Sequence, residues 1–204
     1  MDQKNYPEHG CGTAGDITGC RFTLSSMSDN FVAVILGAIK KVNAKKIWNA
    51  TGVMSTVYRG KRIHVMDCLK ACFVHANDGK THVVMEAAVS KGSPDDGDDR
   101  YLAEDNALLN NTQVKFNVFS AVSFYPMGIA DYMDRITHVV KIAMDRGLYV
   151  ESSHCASILK GDINDLFDYF DVVLEYAEQN ISRYVLQVTL SVNSPSVADN
   201  EHAH

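Results

Sequence analysis

Residues 81–94 read THVVMEAAVSKGSP, and residues 182–195 read SRYVLQVTLSVNSP. In the second stretch Tyr184, Leu186, Val188, Leu190 and Val192 alternate with Val185, Gln187, Thr189 and Ser191. In the first, Val83, Met85, Ala87 and Val89 alternate with Val84, Glu86, Ala88 and Ser90. A period of two with one apolar parity marks a strand that buries one face only. Both stretches put their polar residues on the same parity and end alike, Ser90-Lys-Gly-Ser-Pro94 against Ser191-Val-Asn-Ser-Pro195.

The likeness extends outward. Residues 30–94 align without a gap with residues 131–195, with identities that include Ile35/Ile136, Gly60/Gly161, Asp67/Asp168 and Pro94/Pro195. Conservative pairs such as Ile47/Leu148, Trp48/Tyr149 and Thr56/Ser157 support the register. A fixed offset over this length marks an internal repeat. In the first repeat, residues 17–25 read as a strand and 30–42 as a helix with Asp29 as its cap. Residues 46–51 and 53–59 read as a hairpin around Gly52, 62–77 as a helix and 81–90 as a strand. The second repeat follows with strand 115–124, helix 131–146, strands 148–152 and 154–160, helix 164–179 and strand 182–192, with Gly147 suited to a helix C-terminus. Each unit is β-α-β-β-α-β, so the expected class is α+β, two tandem ferredoxin-like repeats with antiparallel sheets. The expected domains are 11–94 and 112–196, joined by an acidic linker, 95–111, that holds Asp95, Asp96, Asp98, Asp99, Glu104 and Asp105. Its carboxylates lack calcium-loop spacing, so it reads as a solvated connector.

Composition narrows the partners. Against 25 Asp+Glu stand 19 Lys+Arg, a net charge of −6 over 204 residues. That balance argues against nucleic acid or an anionic membrane as the main partner, because both need a basic face. Residues 1–10 are polar and unlike a signal peptide, and no apolar run approaches a spanning helix, so no membrane insertion is expected. Five cysteines (Cys11, Cys20, Cys68, Cys72, Cys155) make an odd number without a CxxC pair, which suits free thiols and a cytoplasmic location. Cys68 and Cys72, one helical turn apart, lack further ligands and read as structural rather than as a metal site.

The face of each sheet turned away from the helices is expected to be mixed. It takes the hydroxyls of Thr23, Thr56, Ser90, Ser123, Ser157, Thr189 and Ser191, the acid Glu86 and amide Gln187, and Met54, Tyr58 and Tyr125. Two readings stand. Such a face suits an interface with a second copy, a regulatory or assembly module; it also suits a small-molecule pocket with apolar walls and a few converging polar groups. No catalytic motif emerges. His154-Cys155 suggests thiol chemistry, but neighbours on a strand point to opposite faces. Arg21 or Arg59 could hold an anion.

Several stretches together resemble the bacterial YkoF family: Gly19-Cys-Arg-Phe-Thr-Leu24 with Met27, Ser55-Thr-Val-Tyr-Arg-Gly60, Phe124-Tyr-Pro-Met127, Asp131-Tyr-Met133, His154-Cys-Ala-Ser157 and Leu190-Ser-Val-Asn-Ser-Pro-Ser196. Its members bind thiamine and its hydroxymethylpyrimidine part. The resemblance implies one ligand site per repeat, a homodimer, and a role in salvage or transport of the thiamine precursor, with transient contact with a transporter. It implies no catalysis and no cofactor, thiamine being the ligand. It adds Met27, Ser55, Met127 and His154 to the candidate ligand contacts. One departure is visible: the first repeat has Leu24-Ser-Ser-Met27 where the second keeps Phe124-Tyr-Pro-Met127, so its site lacks an aromatic wall. The chemistry suits a 4-aminopyrimidine, whose ring nitrogens accept and whose amino group donates. Hydroxyls and Gln or Glu can read that edge, and Met and Tyr can flank the ring.

Overall fold

The computed structural model describes residues 17–91, 100–110 and 112–196. Cys11, the acidic run from Asp95 to Asp99 and both ends of the first expected domain, residues 11–16 and 92–94, lie outside the described residues. The first repeat runs β1 (Thr18–Ser26), α1 (Phe31–Lys41), β2 (Trp48–Thr51), β3 (Thr56–Gly60), α2 (Arg62–Ala76) and β4 (Val83–Lys91). The second runs β5 (Asn117–Met127), α3 (Tyr132–Asp145), β6 (Tyr149–Ser153), β7 (Ala156–Asp162), α4 (Ile163–Asn180) and β8 (Arg183–Val192). The tandem βαββαβ order is as read from the sequence.

The repeats share one sheet. Its strand order is β2-β3-β1-β4-β8-β5-β7-β6, joined at the centre where β4 pairs antiparallel with β8 from Val83↔Val192 to Lys91↔Tyr184. The two alternating stretches, now β4 and β8, are therefore each other's neighbours. Their apolar parity, Met85, Ala87 and Val89 with Leu186, Val188 and Leu190, is fully buried under the helices. Each fully buried large apolar side chain contributes about 1.5–3 kcal/mol.

The helices divide the work unequally. α2 and α4 lie nearest the centre and bury most of their apolar residues, including Leu69, Phe73, Phe170 and Leu174. Asp162 caps α4 by accepting from the Asn164 N–H at 2.9 Å. In α1 only Ala38 is buried, and in α3 only Val139 and Ala143. The expected cap Asp29 is not used: α1 starts after Asn30, whose N–H donates to Ser28 Oγ at 3.1 Å. Gly147, at φ +69°, ends α3 as expected.

Across the repeats, Arg62 at the start of α2 donates to the Asp171 carbonyl at 3.1 Å and to Glu178 Oε2 at 3.1 Å, and also meets the Asp171 carboxylate. Lys70 Nζ donates to Asn164 Oδ1 at 2.7 Å. The described part of the connector is largely exposed and is tied to the first repeat by hydrogen bonds. Asp67 Oδ2 accepts from the backbone N–H groups of Leu109 and Asn110 and from Asn110 Nδ2, at 3.2, 3.1 and 2.8 Å. His64 is buried with Nε2 2.7 Å from the Asp105 carbonyl.

One face assignment needs correction. Phe22 pairs with Thr56, Cys20 with Tyr58 and Val122 with Ser157. Paired residues share a face, so Thr56, Tyr58, Ser157 and Leu159 point toward the helices, not away from them. The Phe22 and Tyr58 rings, 4.8 Å apart, lock that parity into the core. The hydroxyls of Thr56 and Ser157 made these positions look solvated. Thr23, Glu86, Ser90, Ser123, Tyr125, Gln187, Thr189 and Ser191 do sit on the helix-free face.

Candidate ligand site

Strands β1 and β5 outrun their hairpin partners. β1 pairs with β4 as far as Ser26↔Val83, but with β3 only as far as Phe22↔Thr56. β5 pairs with β8 as far as Met127↔Arg183, but with β7 only as far as Val122↔Ser157. The end of each long strand thus has a bare edge beside a hairpin turn. An unpaired edge presents backbone donors and acceptors in one plane. The first helix of the repeat, α1 or α3, crosses this notch, which is why so little of its apolar stripe is buried.

In the second repeat the notch opens into a cavity of about 1050 Å³. Phe124, Tyr125 and Met127 of β5 line one side, and Tyr132, Met133 and Ile136 of α3 another; the β6–β7 turn closes it with His154 and Cys155, and Ser157 begins β7. Tyr169 of α4 forms part of the wall. Its hydroxyl donates to the Val139 carbonyl at 3.2 Å, and burial pushes its ionisation up, so it stays a neutral donor.

In the first repeat the same notch is divided. A 170 Å³ pocket on the helix side is lined by Ile35, Leu36, Ile39 and Thr56. A 270 Å³ pocket on the bare face is lined by Arg21, Glu86, Ala88 and Gln187. Phe22, Thr23, Met54 and Ser55 border both. Their counterparts in the second repeat are Val122, Ser123, Cys155 and Ala156, each smaller. This difference explains one open cavity against two shallow ones. Ser25, the counterpart of Tyr125, lines none of the three.

The hydroxyl pair at the start of the hairpin also differs. In the first repeat Thr51 Oγ1 and Thr56 Oγ1 lie 3.0 Å apart and satisfy each other. In the second, Ser152 Oγ is taken by Tyr149 OH at 2.8 Å. Ser157, paired with Ser152 across the strands, is 8% exposed and its hydroxyl has no hydrogen-bond partner among the described residues. That hydroxyl is open to the cavity rather than sealed in protein, so it can both donate to and accept from whatever occupies the cavity.

Of the residues singled out from the sequence, Tyr125, Met127, His154, Ser157 and Gln187 line the large cavity. Thr23, Ser55, Thr56, Glu86 and again Gln187 line the two smaller ones. Met27, 61% exposed, and Ser90, Ser123, Thr189 and Ser191 line none of the three; Ser191 Oγ lies 3.0 Å from His82 Nε2. His154 and Cys155 sit in the turn with φ +22° and +62°, not on a strand, and both reach the cavity. The two residues therefore share one cavity instead of facing opposite sides of a strand. The walls from α3, Tyr132, Met133 and Ile136, were missed as site residues. Their signal was a helical stripe too apolar for its exposure, with Tyr132 and Met133 about half exposed. Among the described residues no group of three or more His, Cys, Asp and Glu side chains gathers as a metal shell. No helix among them is long and apolar enough to cross a membrane.

The sequence has counterparts among known proteins. The model of the YKOF-related family matches residues 17–96 and 117–197, the two repeats in turn. A Bacillus subtilis (strain 168) protein bearing the name "Putative HMP/thiamine-binding protein YkoF" is 40% identical over 193 residues, 93% of this chain and 96% of that protein. A duplicated match of this extent, on the sheet that carries both notches, shows that the chain belongs to the YKOF-related family.

Proposed function

We propose that the chain binds the hydroxymethylpyrimidine part of thiamine, or thiamine itself, at the notch of each repeat, without transforming it. The observation that carries this reading is the Ser157 hydroxyl, without a hydrogen-bond partner among the described residues and open to a cavity walled by Tyr125, Met127, Tyr132 and Met133. A flat aminopyrimidine enters edge-on toward the unpaired end of β5. Ser157 and the strand edge read its donors and acceptors, and the Tyr and Met side chains cover its faces. The relative's name points to the same ligand class. The first repeat offers the same notch with less room and no tyrosine, so it is the weaker site.

Titration calorimetry with thiamine and with free hydroxymethylpyrimidine is expected to give a clear binding isotherm. Ser157→Ala is expected to weaken the tighter site by about 0.5–1.5 kcal/mol, roughly 2- to 12-fold. Flat titrations with both compounds at millimolar concentration would refute the proposal.

The helix-free face supports a second copy of the chain as partner. Val57, Val84, Phe119, Ala121 and Ile158 lie partly exposed there, outside the linings of the three cavities, in a face that polar residues only dilute. A homodimer covers them, and sedimentation should return twice the 22.5 kDa chain mass; a monomer at all concentrations rejects that part. Free thiols at the four described cysteines support a reducing, cytoplasmic setting. Its role there is to deliver the pyrimidine to a salvage or transport step, through transient contact with a transporter.

A further inference from the structure

The large cavity has a charged end that the aminopyrimidine leaves unused. Arg21, Ala88 and Gln187 form one cross-strand row on the bare face, Arg21↔Ala88↔Gln187↔Ser123. The first three line the cavity of the second repeat, although Arg21 belongs to the first. The row spans three strand spacings, about 14 Å. Ala88 is small enough for the guanidinium to lie over it toward Gln187. Arg21 has no ion-pair partner among the described residues.

The charge is unbalanced. No Asp or Glu lines this cavity, and Arg21 is its one formal charge. This occurs in a protein of net charge −6. The counterpart of Arg21 in the second repeat is Ala121, so duplication did not impose the residue. The bare-face pocket of the first repeat also touches Arg21, but Glu86 sits in its lining. Only the large cavity combines the cation with neutral surroundings. A cavity of about 1050 Å³ also reaches the upper end of sites for drug-sized ligands, so a single six-membered ring leaves most of it empty. The thiazolium of thiamine carries positive charge and finds no complement beside Arg21. A planar guanidinium next to an amide donor suits a phosphate.

We propose that Arg21 is the anion-holding end of the large cavity, so that the ligand held there is a phosphate ester of the pyrimidine. The inference rests on the reading that the notch takes an aminopyrimidine. It adds a subsite contributed by the other repeat, which couples the two halves of the chain in one ligand contact.

Four compounds test it by calorimetry on the full chain: hydroxymethylpyrimidine, its phosphate ester, thiamine and thiamine monophosphate. Each phosphorylated form is compared with its own alcohol. The wild type is expected to favour a phosphorylated form by about 3- to 10-fold, since charge-assisted hydrogen bonds at an open site are modest. The preference should shrink as salt rises. Arg21→Gln should bring the ratio close to one, and Arg21→Lys should keep part of it. Ala88→Glu, which places a carboxylate beside the guanidinium, should also remove the preference with Arg21 in place; this variant serves if Arg21→Gln fails to fold. A gain confined to the pyrimidine ester, or shared with thiamine monophosphate, supports the subsite and tells which alcohol carries the phosphate. Equal affinity for phosphorylated and free forms in the wild type overturns the inference while leaving aminopyrimidine binding intact, and so does a preference that survives both Arg21→Gln and Ala88→Glu. If none of the four compounds binds, the reading of the notch falls and this inference with it.

Discussion

Gly60 has φ +157°, and a Cβ added there would meet Ile47 Cγ2 at 3.2 Å and the Lys46 carbonyl at 3.4 Å. Its repeat partner Gly161 is equally hemmed in, with Leu148 Cδ2 2.5 Å from an added Cβ. The pairs Gly60/Gly161 and Ile47/Leu148 in the sequence are thus one packing device used twice. At Gly60 the nearest atoms include backbone that cannot swing away. Gly60→Ala is therefore expected to cost about 1–3 kcal/mol, through strain and the displaced isoleucine. Chemical denaturation checks it, and an unchanged midpoint would contradict the geometry. The cysteines offer a second test at this scale. Burial pushes the thiols of Cys68 and Cys72 up to about 12 and that of Cys20 higher still. Cys155 is exposed at the mouth of the large cavity. Alkylation at pH 8 followed by peptide mapping should modify Cys155 ahead of Cys20, Cys68 and Cys72. Saturating thiamine or hydroxymethylpyrimidine should slow it; modification at an unchanged rate would mean that the turn does not border the bound ligand.

Among the elements, the contrast between inner and outer helices is the most informative. α2 and α4 carry the core; α1 and α3 lean over the notches with Ile35, Leu36, Ile39, Met133 and Ile136 against open space. Helices short of packing open more readily than those in the core. Ligand that fills the notch supplies the missing contacts. Hydrogen exchange is expected to slow in α3 on adding ligand, and to change little in α4. At 100 times the dissociation constant the ligand adds about 2.7 kcal/mol to global stability. Equal slowing throughout the chain would place the ligand elsewhere. The same contrast was partly visible in the sequence. The helical period in residues 30–42 and 131–146 announced amphipathic helices. It could not tell that their apolar stripes face a vacancy, because a stripe looks the same whether protein or ligand covers it.

For the whole molecule, the two repeats fold as one body. The β4–β8 ladder runs through nine residue pairs at the centre of the sheet. Arg62 bridges α2 to α4, and Asp67 holds the connector on the first repeat. Neither half has its own complete edge without the other. Thermal and denaturant unfolding are therefore expected to show one cooperative transition by fluorescence and by far-UV circular dichroism alike. Two separated transitions would mean that the central ladder adds little. Arg62→Ala should lower the unfolding free energy read from this single transition by about 1 kcal/mol, with Asp171 and Glu178 left unpaired at a partly open site.

The repeat, the element order and the buried parity of β4 and β8 were all set by residue spacing, because alternation and period are local and survive without knowledge of neighbours. Two residues show where locality ends. Thr56 and Ser157 read as outward-facing hydroxyls, but pairing with Phe22 and Val122 turns them toward the helices, since a strand's face is decided by its register and not by its own polarity. Arg21 read as one of two possible anion holders; only the joining of β4 to β8 carried it from its own repeat into the cavity of the other. The cavity itself arises from the late start of β3 and β7 against the longer β1 and β5, a difference in length between strands distant in sequence. Spacing along the chain could name the chemistry present, and tertiary pairing alone could say which groups share one volume of space.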